Sequence, residues 1–183
     1  SRRHWHFIHD CLCDLNSSLG ALGQHLIIKI GDACEVIKNL HLEHQIVDLY
    51  THEETGNLWT YQRDTAVKNI CINNSIELHT FPTNGVVRRL RSRDGWSKIR
   101  NTRMAEKIHP KPKALRPAPP CISDSLPDKN DPMFGDLAIG KVQKGGRSQA
   151  VVDLRSFLNH RASKYLFHIS APGLSEFHCS RLS

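Results

Sequence analysis

The last seven residues of the chain, FHCSRLS (177–183), have side chains that could hold an anion. Serine hydroxyls at the start of a helix cap the free backbone N–H groups there, and those N–H groups also bind phosphate. The candidate phosphate contacts are Cys179, Ser180, Arg181, Leu182 and Ser183. Taken alone, the segment is more typical of a frayed polar end of a chain. The sequence before this segment indicates whether it is a phosphate site or a frayed end.

A basic segment is the second feature that could do chemistry. Residues 83–116 carry eleven arginines and lysines against Asp94 and Glu106, a net charge of +9 in a chain whose total is +7. Such a segment on a near-neutral body favours a polyanionic partner or an acidic protein surface. Arginine binds phosphate and tryptophan stacks on bases, so the candidate nucleic-acid contacts are Arg88, Arg89, Arg91, Arg93 and Trp96. The alternative is a solvated loop whose arginines pair with carboxylates elsewhere.

The 12 histidines and six cysteines follow no metal-binding or catalytic pattern. His4 and His6 point to different sides of a helix, because neighbours on one face are three or four residues apart. No spacing matches a zinc site, so we predict neither a metal centre nor a catalytic residue. The cysteines are scattered without a CxxC pair, which predicts reduced thiols in an intracellular, cytoplasmic protein. No stretch of 18 apolar residues is present, so we expect no membrane span.

The apolar pattern predicts a scaffold of alternating helices and strands for these residues. An apolar stripe at helical spacing predicts a first helix that Gly23 closes. The elements predicted after it are the strand 26–30, the helix 31–44 with Asp32 as its N-cap, the strand 45–52, the helix 57–74 and the strand 76–81. This order is typical of βαβ crossovers on an open parallel sheet. The predicted fold class is therefore α/β, with a Rossmann or flavodoxin-like sheet.

The same fold class predicts where a ligand would bind. In open parallel sheets, ligands lie beyond the carboxyl ends of the strands. Here that edge includes Gly31, Asp32 and the turn 51–57. The chain has no GxGxxG or P-loop sequence, so an ordinary dinucleotide or triphosphate site is not predicted.

A proline-rich connector separates this region from the end of the chain. IHPKPKALRPAPP (108–120) contains five prolines in thirteen residues. A structureless loop of this length is unusual inside one domain, which favours a linker. An apolar stripe at helical spacing returns within 145–169. We therefore predict an α/β domain at 1–107, an interdomain linker at 108–144 and the start of a helical domain at 145–183.

In this order, several blocks of the chain resemble the photolyase and cryptochrome family. The blocks are SRRHWHFIHDCLCDLNSSLGALGQHLIIKIGDACEVIKNL (1–40), THEETGNLWTYQRDTAVKN (51–69), NGVVRRLRSRDGWSKIRNTRM (84–104), and GGRSQAVVDLRSFLNHRASKYL (145–166) followed by FHCSRLS. The resemblance covers nearly the whole chain apart from the connector. It implies a two-domain flavoprotein, with an α/β domain that can carry an antenna chromophore and an all-helical domain that binds FAD.

The resemblance also implies a reaction and a set of site residues. In this family, light excites reduced FAD, which passes an electron to a pyrimidine dimer flipped out of damaged DNA. Tyr165 matches a tyrosine near the FAD phosphates, and the segment from Cys179 to Ser183 matches one that binds them. Cys179 stands where the family usually has threonine, a stronger hydroxyl donor. Trp59 and Thr60 replace the Asn-Glu pair of folate-binding members, so a folate antenna is not supported and another chromophore, or none, is left open.

A purely structural role is the alternative both for Tyr165 and for the residues around Trp59. Tyr165 can equally be a helix residue packed on its neighbours. Trp59, Tyr61, Arg63 and Asp64 can equally serve aromatic packing, with an Arg–Asp pair that fixes the helix.

Three functions stay open at this point. The chain is a fragment of a DNA-repairing photolyase, a part of a cryptochrome-like blue-light receptor, or a nucleic-acid-binding flavodoxin-like module. The resemblance implies a fragment that lacks the family's first strand and most of the FAD-binding helices. We therefore expect FAD and damaged DNA to be bound by a monomeric full-length protein, and the 183-residue chain alone to hold no FAD and repair nothing.

Overall fold

The computed structural model of the protein describes residues 2–83, 86–135, 142–171, 173–174 and 179–180. In chain order its elements are α1 (Arg2–Gly20), α2 (Ala33–His44), β1 (Asp48–His52), α3 (Leu58–Asn73), β2 (Glu77–Phe81), α4 (Trp96–Met104), a 3₁₀ turn (Pro132–Phe134), α5 (Arg147–Ser156), a π-helical turn (Phe157–Arg161) and α6 (Ala162–His168).

These elements form two compact units. Residues 29–111 make up the first, called here the sheet unit, and residues 1–28 with 112–183 make up the second, called here the helical unit. The predicted division at 1–107, 108–144 and 145–183 stays a prediction. No helix in the described ranges is both long enough and apolar enough to cross a bilayer.

The sheet unit has the predicted α/β architecture. Strands β1 and β2 pair in parallel, with Asp48 opposite Glu77 and His52 opposite Phe81. Helix α2 packs on α3, and α3 packs on β2. The centre of this unit is small: Cys71 at 1% exposure and Ile76 at 5% are the buried apolar side chains of the described residues. Burial raises the pKa of the Cys71 thiol.

An aspartate and an asparagine side chain cap the starts of helices α2 and α3 of this unit. Asp32 caps α2, accepting hydrogen bonds from Cys34 N at 2.9 Å and Glu35 N at 3.2 Å, as predicted. Asn57 caps α3 by accepting from Thr60 N at 3.2 Å. Both side chains accept hydrogen bonds from N–H groups of the first helical turn, which have no acceptor within the helix.

The predicted strand 26–30 is wrong, because this segment forms no strand. The Leu26 N–H donates to Asn16 Oδ1 at 2.8 Å, and the Ile28 N–H donates to Ser123 Oγ at 2.9 Å. The Ile28 carbonyl accepts from Asp124 N at 2.9 Å. The side chains of Asn16 and Ser123 and the Asp124 N–H thus take the hydrogen bonds that a neighbouring strand would take. A β-branched run without such a neighbour cannot join a sheet.

Helix α1 carries the predicted apolar stripe and organises the helical unit. It ends at Gly20, and Gly23 follows in the left-handed conformation with a φ of 82°. No residue of α1 is fully buried. The connector nevertheless lies against it, because Trp5 stacks on Phe134 at 4.2 Å and donates its indole N–H to the Asp128 carbonyl at 3.0 Å.

The start of α5 is held by two carboxylates of α1. Asp14 accepts from Ser148 Oγ at 2.6 Å and Ser148 N at 3.2 Å, while Asp10 accepts from Gly145 N at 3.3 Å. Gly145 is buried, and a Cβ at this position would collide with the Phe7 carbonyl. The glycine therefore lets the chain approach α1 closely enough for these bonds to form.

Candidate functional site

The sheet unit contains a cleft at the carboxyl ends of its two strands. Thr51, His52 and Glu53 line it where β1 ends, and Thr80 lines it near the end of β2. Its volume is about 590 Å³, within the range of small-molecule sites. Part of the edge predicted for a ligand, within the turn 51–57, therefore lines a cavity.

Helix α3 and the basic segment supply the charged wall of this cleft. The residues concerned are Tyr61, Arg63, Asp64, Lys68, Arg88 and Arg89. Asn57 caps the start of α3, and residues of its first three turns line the cleft. The basic segment follows β2, which brings its first two arginines to the same place.

Asp64 is the centre of the charge network in the cleft. Its Oδ2 accepts from Arg88 Nη2 at 2.7 Å, and its Oδ1 accepts from Arg63 Nη2 at 3.0 Å. The Glu54 N–H donates to Oδ2 at 3.4 Å. Burial raises the pKa of Asp64, but the hydrogen bonds from Arg63, Glu54 and Arg88 outweigh it, so the pKa of this carboxyl lies below its ordinary value.

Tyr61 is the aromatic partner of the same arginines. The Arg88 and Arg89 guanidinium groups lie 5.5 and 5.3 Å from its ring centre, and Arg89 donates a hydrogen bond to the Tyr61 hydroxyl. Arg63 lies 5.7 Å from the Trp59 ring in the same way. The structural alternative for these α3 residues, aromatic packing with an Arg–Asp pair, is therefore what the contacts of the protein itself show.

The five predicted nucleic-acid contacts do not form one surface. Arg88 and Arg89 belong to the cleft, whereas Arg91 and Arg93 are exposed. Trp96 begins α4 and has the Arg100 guanidinium 6.0 Å from its ring centre. The first two arginines contact Asp64 and Tyr61 and the next two face solvent, and the nucleic-acid contacts stay a prediction.

The predicted FAD contacts lie in the helical unit, and half of them are described. Tyr165, on α6, packs edge-on against Phe157 with ring centres 5.7 Å apart. Arg161 donates to the Cys179 carbonyl, and Ser180 is half-buried. Arg181, Leu182 and Ser183 lie outside the described residues.

Sequence reasoning missed Arg161, which assembles this region. Its guanidinium lies 5.7 Å from the Phe157 ring centre and also donates to the Asp153 carbonyl at 2.7 Å. Phe157, Arg161 and Tyr165 recur every four residues, a spacing that places them on one helix face and could have indicated the cluster. A cation beside Cys179 suits an anionic ligand, although several of its N–H groups already donate to protein acceptors.

Residues 1–117 match the sequence model of the family described as DNA photolyase. No curated protein is significantly similar in sequence. Two similar solved structures are a bacterial class III photolyase from Agrobacterium tumefaciens and an archaeal photolyase from Sulfolobus tokodaii, the latter described with two FAD molecules and an implied novel light-harvesting cofactor.

These two structures agree with the chain in fold. The class III photolyase superimposes with a TM-score of 0.65 at 21% identity, over 88% of this chain and 36% of its own. The archaeal photolyase gives a TM-score of 0.55 at 18% identity, over 97% of this chain and 45% of its own. The chain thus spans less than half the length of either. The predicted resemblance is confirmed by the match over 1–117: the chain belongs to the DNA photolyase family.

Proposed function

We propose that this chain is part of a light-dependent DNA repair flavoprotein of the photolyase type. The observation that carries the proposal is the family match over residues 1–117, which includes the whole sheet unit. The fold shared with two photolyases supports it. Because the chain spans under half of their lengths, the activity is assigned to a protein that contains this chain together with a helical flavin domain.

In this proposal, one strip of the FAD site lies in the helical unit. Tyr165, Cys179 and Ser180, with Arg181, Leu182 and Ser183, contact the phosphates. Arg161 supplies positive charge beside them and holds the Cys179 backbone. FAD, when bound, supplies the light-driven electron transfer, while these residues orient its anionic end.

The cleft of the sheet unit is the proposed place for an antenna chromophore. Its size suits a flat heterocycle, and Tyr61 lines it. Its arginines favour an anion, but an anionic chromophore has to share Arg88 with Asp64, which lies 2.7 Å away. Trp59 and Thr60 stand where folate-binding members have Asn-Glu, so the proposed chromophore is not a folate.

Expression of the whole reading frame tests the function. We expect the purified protein to carry FAD and, after photoreduction, to split pyrimidine dimers in DNA under blue light but not in the dark. Bound FAD without dimer splitting would instead support the cryptochrome-like alternative. A protein that binds no FAD in any redox state would contradict both.

A second candidate function rests on unpaired cations. Within the described part of the chain, no ion pair joins a carboxylate to Arg91, Arg93, Lys98, Lys107 or Lys111, and all five are exposed. Exposed and uncompensated cations favour a polyanion. We therefore propose that this part of the basic segment also contacts nucleic acid. Binding of undamaged DNA that weakens steeply with salt is the expected result, and its absence would remove this function.

A further inference from the structure

One face of the β1–β2 pair brings together three side chains that belong neither to the cleft nor to the predicted FAD contacts. The parallel register sets Asp48 opposite Glu77 and Tyr50 opposite His79. Side chains two residues apart on a strand share a face, so Asp48, Glu77 and His79 project from the same side of the sheet. Their contacts agree with this, because the His79 ring stacks on Tyr50 with ring centres 4.4 Å apart.

The donor atoms of these side chains converge. His79 Nε2 lies 2.8 Å from Asp48 Oδ1 and 3.8 Å from Glu77 Oε1, and all three donor atoms lie within 4.8 Å of one another. Ligand bonds to zinc are about 2.0–2.2 Å long, which separates tetrahedral ligand atoms by about 3.3–3.5 Å. The two printed separations from His79 Nε2, 2.8 and 3.8 Å, lie on either side of this spacing.

The arrangement is held by backbone and ring packing. Strand register fixes the spacing of Asp48 and Glu77, and stacking on Tyr50 orients the His79 ring so that Nε2 faces both carboxylates. The side chains are 41%, 74% and 30% exposed for Asp48, Glu77 and His79. Water can therefore complete the coordination shell of a bound ion.

The chemistry of the donors selects the type of ion. One imidazole nitrogen and two carboxylate oxygens suit zinc and similar divalent transition metals, whereas magnesium and calcium prefer oxygen ligands alone. We propose that Asp48, Glu77 and His79 form a surface site for a divalent transition-metal ion, with Zn²⁺ as the best match. The site joins the starts of the two strands and would stabilise their pairing.

The prediction of no metal centre was based on spacing along the chain, and these ligands come from two different strands. A protonated His79 paired with both carboxylates is the competing explanation of the same contacts. It predicts a surface ion pair without metal affinity, so the two explanations differ in a measurable property.

Calorimetric titration of the metal-free 183-residue chain with Zn²⁺ distinguishes them. We expect one binding component that weakens at least about tenfold in His79→Gln and in Asp48→Asn. His52→Gln is the matched control, since His52 lies on the same face of β1 but outside the cluster. An unchanged affinity in this control shows that the binding depends on the cluster and not on the loss of any one histidine of the sheet unit.

Thermal unfolding with and without Zn²⁺ gives a second readout. Binding to the folded state raises the Tm of the unaltered chain and of His52→Gln but not of His79→Gln. If His79→Gln does not fold by circular dichroism, Glu77→Gln takes its place, because Glu77 is the most exposed ligand. The proposal is overturned if Zn²⁺ does not bind, or if it binds the ligand variants as tightly as the unaltered chain. It is also overturned if His52→Gln loses as much Zn²⁺ affinity as His79→Gln.

Discussion

Arg88 Nη2 lies 2.7 Å from Asp64 Oδ2, so the start of the basic segment is tied to helix α3 by a half-buried ion pair. Asp64 also accepts from Arg63, and one carboxylate therefore serves two guanidinium groups. This relationship separates the basic segment into a part that builds the cleft and a part that faces solvent.

Removing the cleft arginine should destabilise the sheet unit. Arg88→Ala leaves Asp64 half-buried with one cation fewer, and hydrogen bonds to charged groups contribute about 1.5–3 kcal/mol. We expect the free energy of unfolding in urea to fall by about 1–3 kcal/mol. Arg91→Ala is the control, because Arg91 is exposed and such substitutions stay within about 0.5 kcal/mol. Equal effects of the two variants would show that the pair does not contribute.

Acid should weaken the same network. The pKa of Asp64 is lower in the folded protein than its ordinary value of 3.8, so the unfolded chain binds a proton more readily. The stability that this carboxylate contributes is fully present above that ordinary value and is lost as the pH falls below it. Urea midpoints measured from pH 6 downward should therefore drop less steeply in Asp64→Asn than in the unaltered chain. Parallel curves would contradict the assigned shift.

The buried glycine before α5 should not tolerate a side chain. Gly145→Ala places a methyl group against the Phe7 carbonyl and Cys11 Sγ, and overpacking of this kind costs about 1–3 kcal/mol. Gly20→Ala is the matched control, since a Cβ there would meet nothing within 4 Å besides its chain neighbours and the backbone of its own helix. Circular dichroism during thermal unfolding should show a lower Tm for Gly145→Ala only. A normal Tm would mean that the chain does not approach α1 this closely.

The solvent-facing arginines should contribute more to the salt dependence of nucleic-acid affinity than the cleft arginines. Each phosphate contact changes the slope of log affinity against log salt by about 0.7–0.9. The double variant Arg91→Ala with Arg93→Ala should therefore flatten this slope for an oligonucleotide by about one to two, measured by fluorescence anisotropy. Arg88→Ala should leave the slope unchanged, because Asp64 already pairs with Arg88. A flatter slope in Arg88→Ala than in the double variant would place the phosphate contact in the cleft.

The sequence by itself determined the local elements and the family. Helical and β-branched periodicity together with the Asp32 cap predicted α2, β1, α3 and β2 to within a few residues, because these preferences act between neighbours in the chain. The blocks before the connector resembled the photolyase family for the same reason, since motifs are local in sequence, and the match over 1–117 confirmed the family.

Tertiary structure decided every feature that depends on pairing between distant residues. The run 26–30 has the composition of a strand, but its hydrogen bonds go to Asn16, Ser123 and Asp124. Arg88 and Arg91 are the same residue type in the same basic segment. Only the ion pair with Asp64 makes Arg88 a cleft residue, whereas Arg91 is exposed. The convergence of Asp48, Glu77 and His79 depends on the register of two parallel strands, which no local preference specifies.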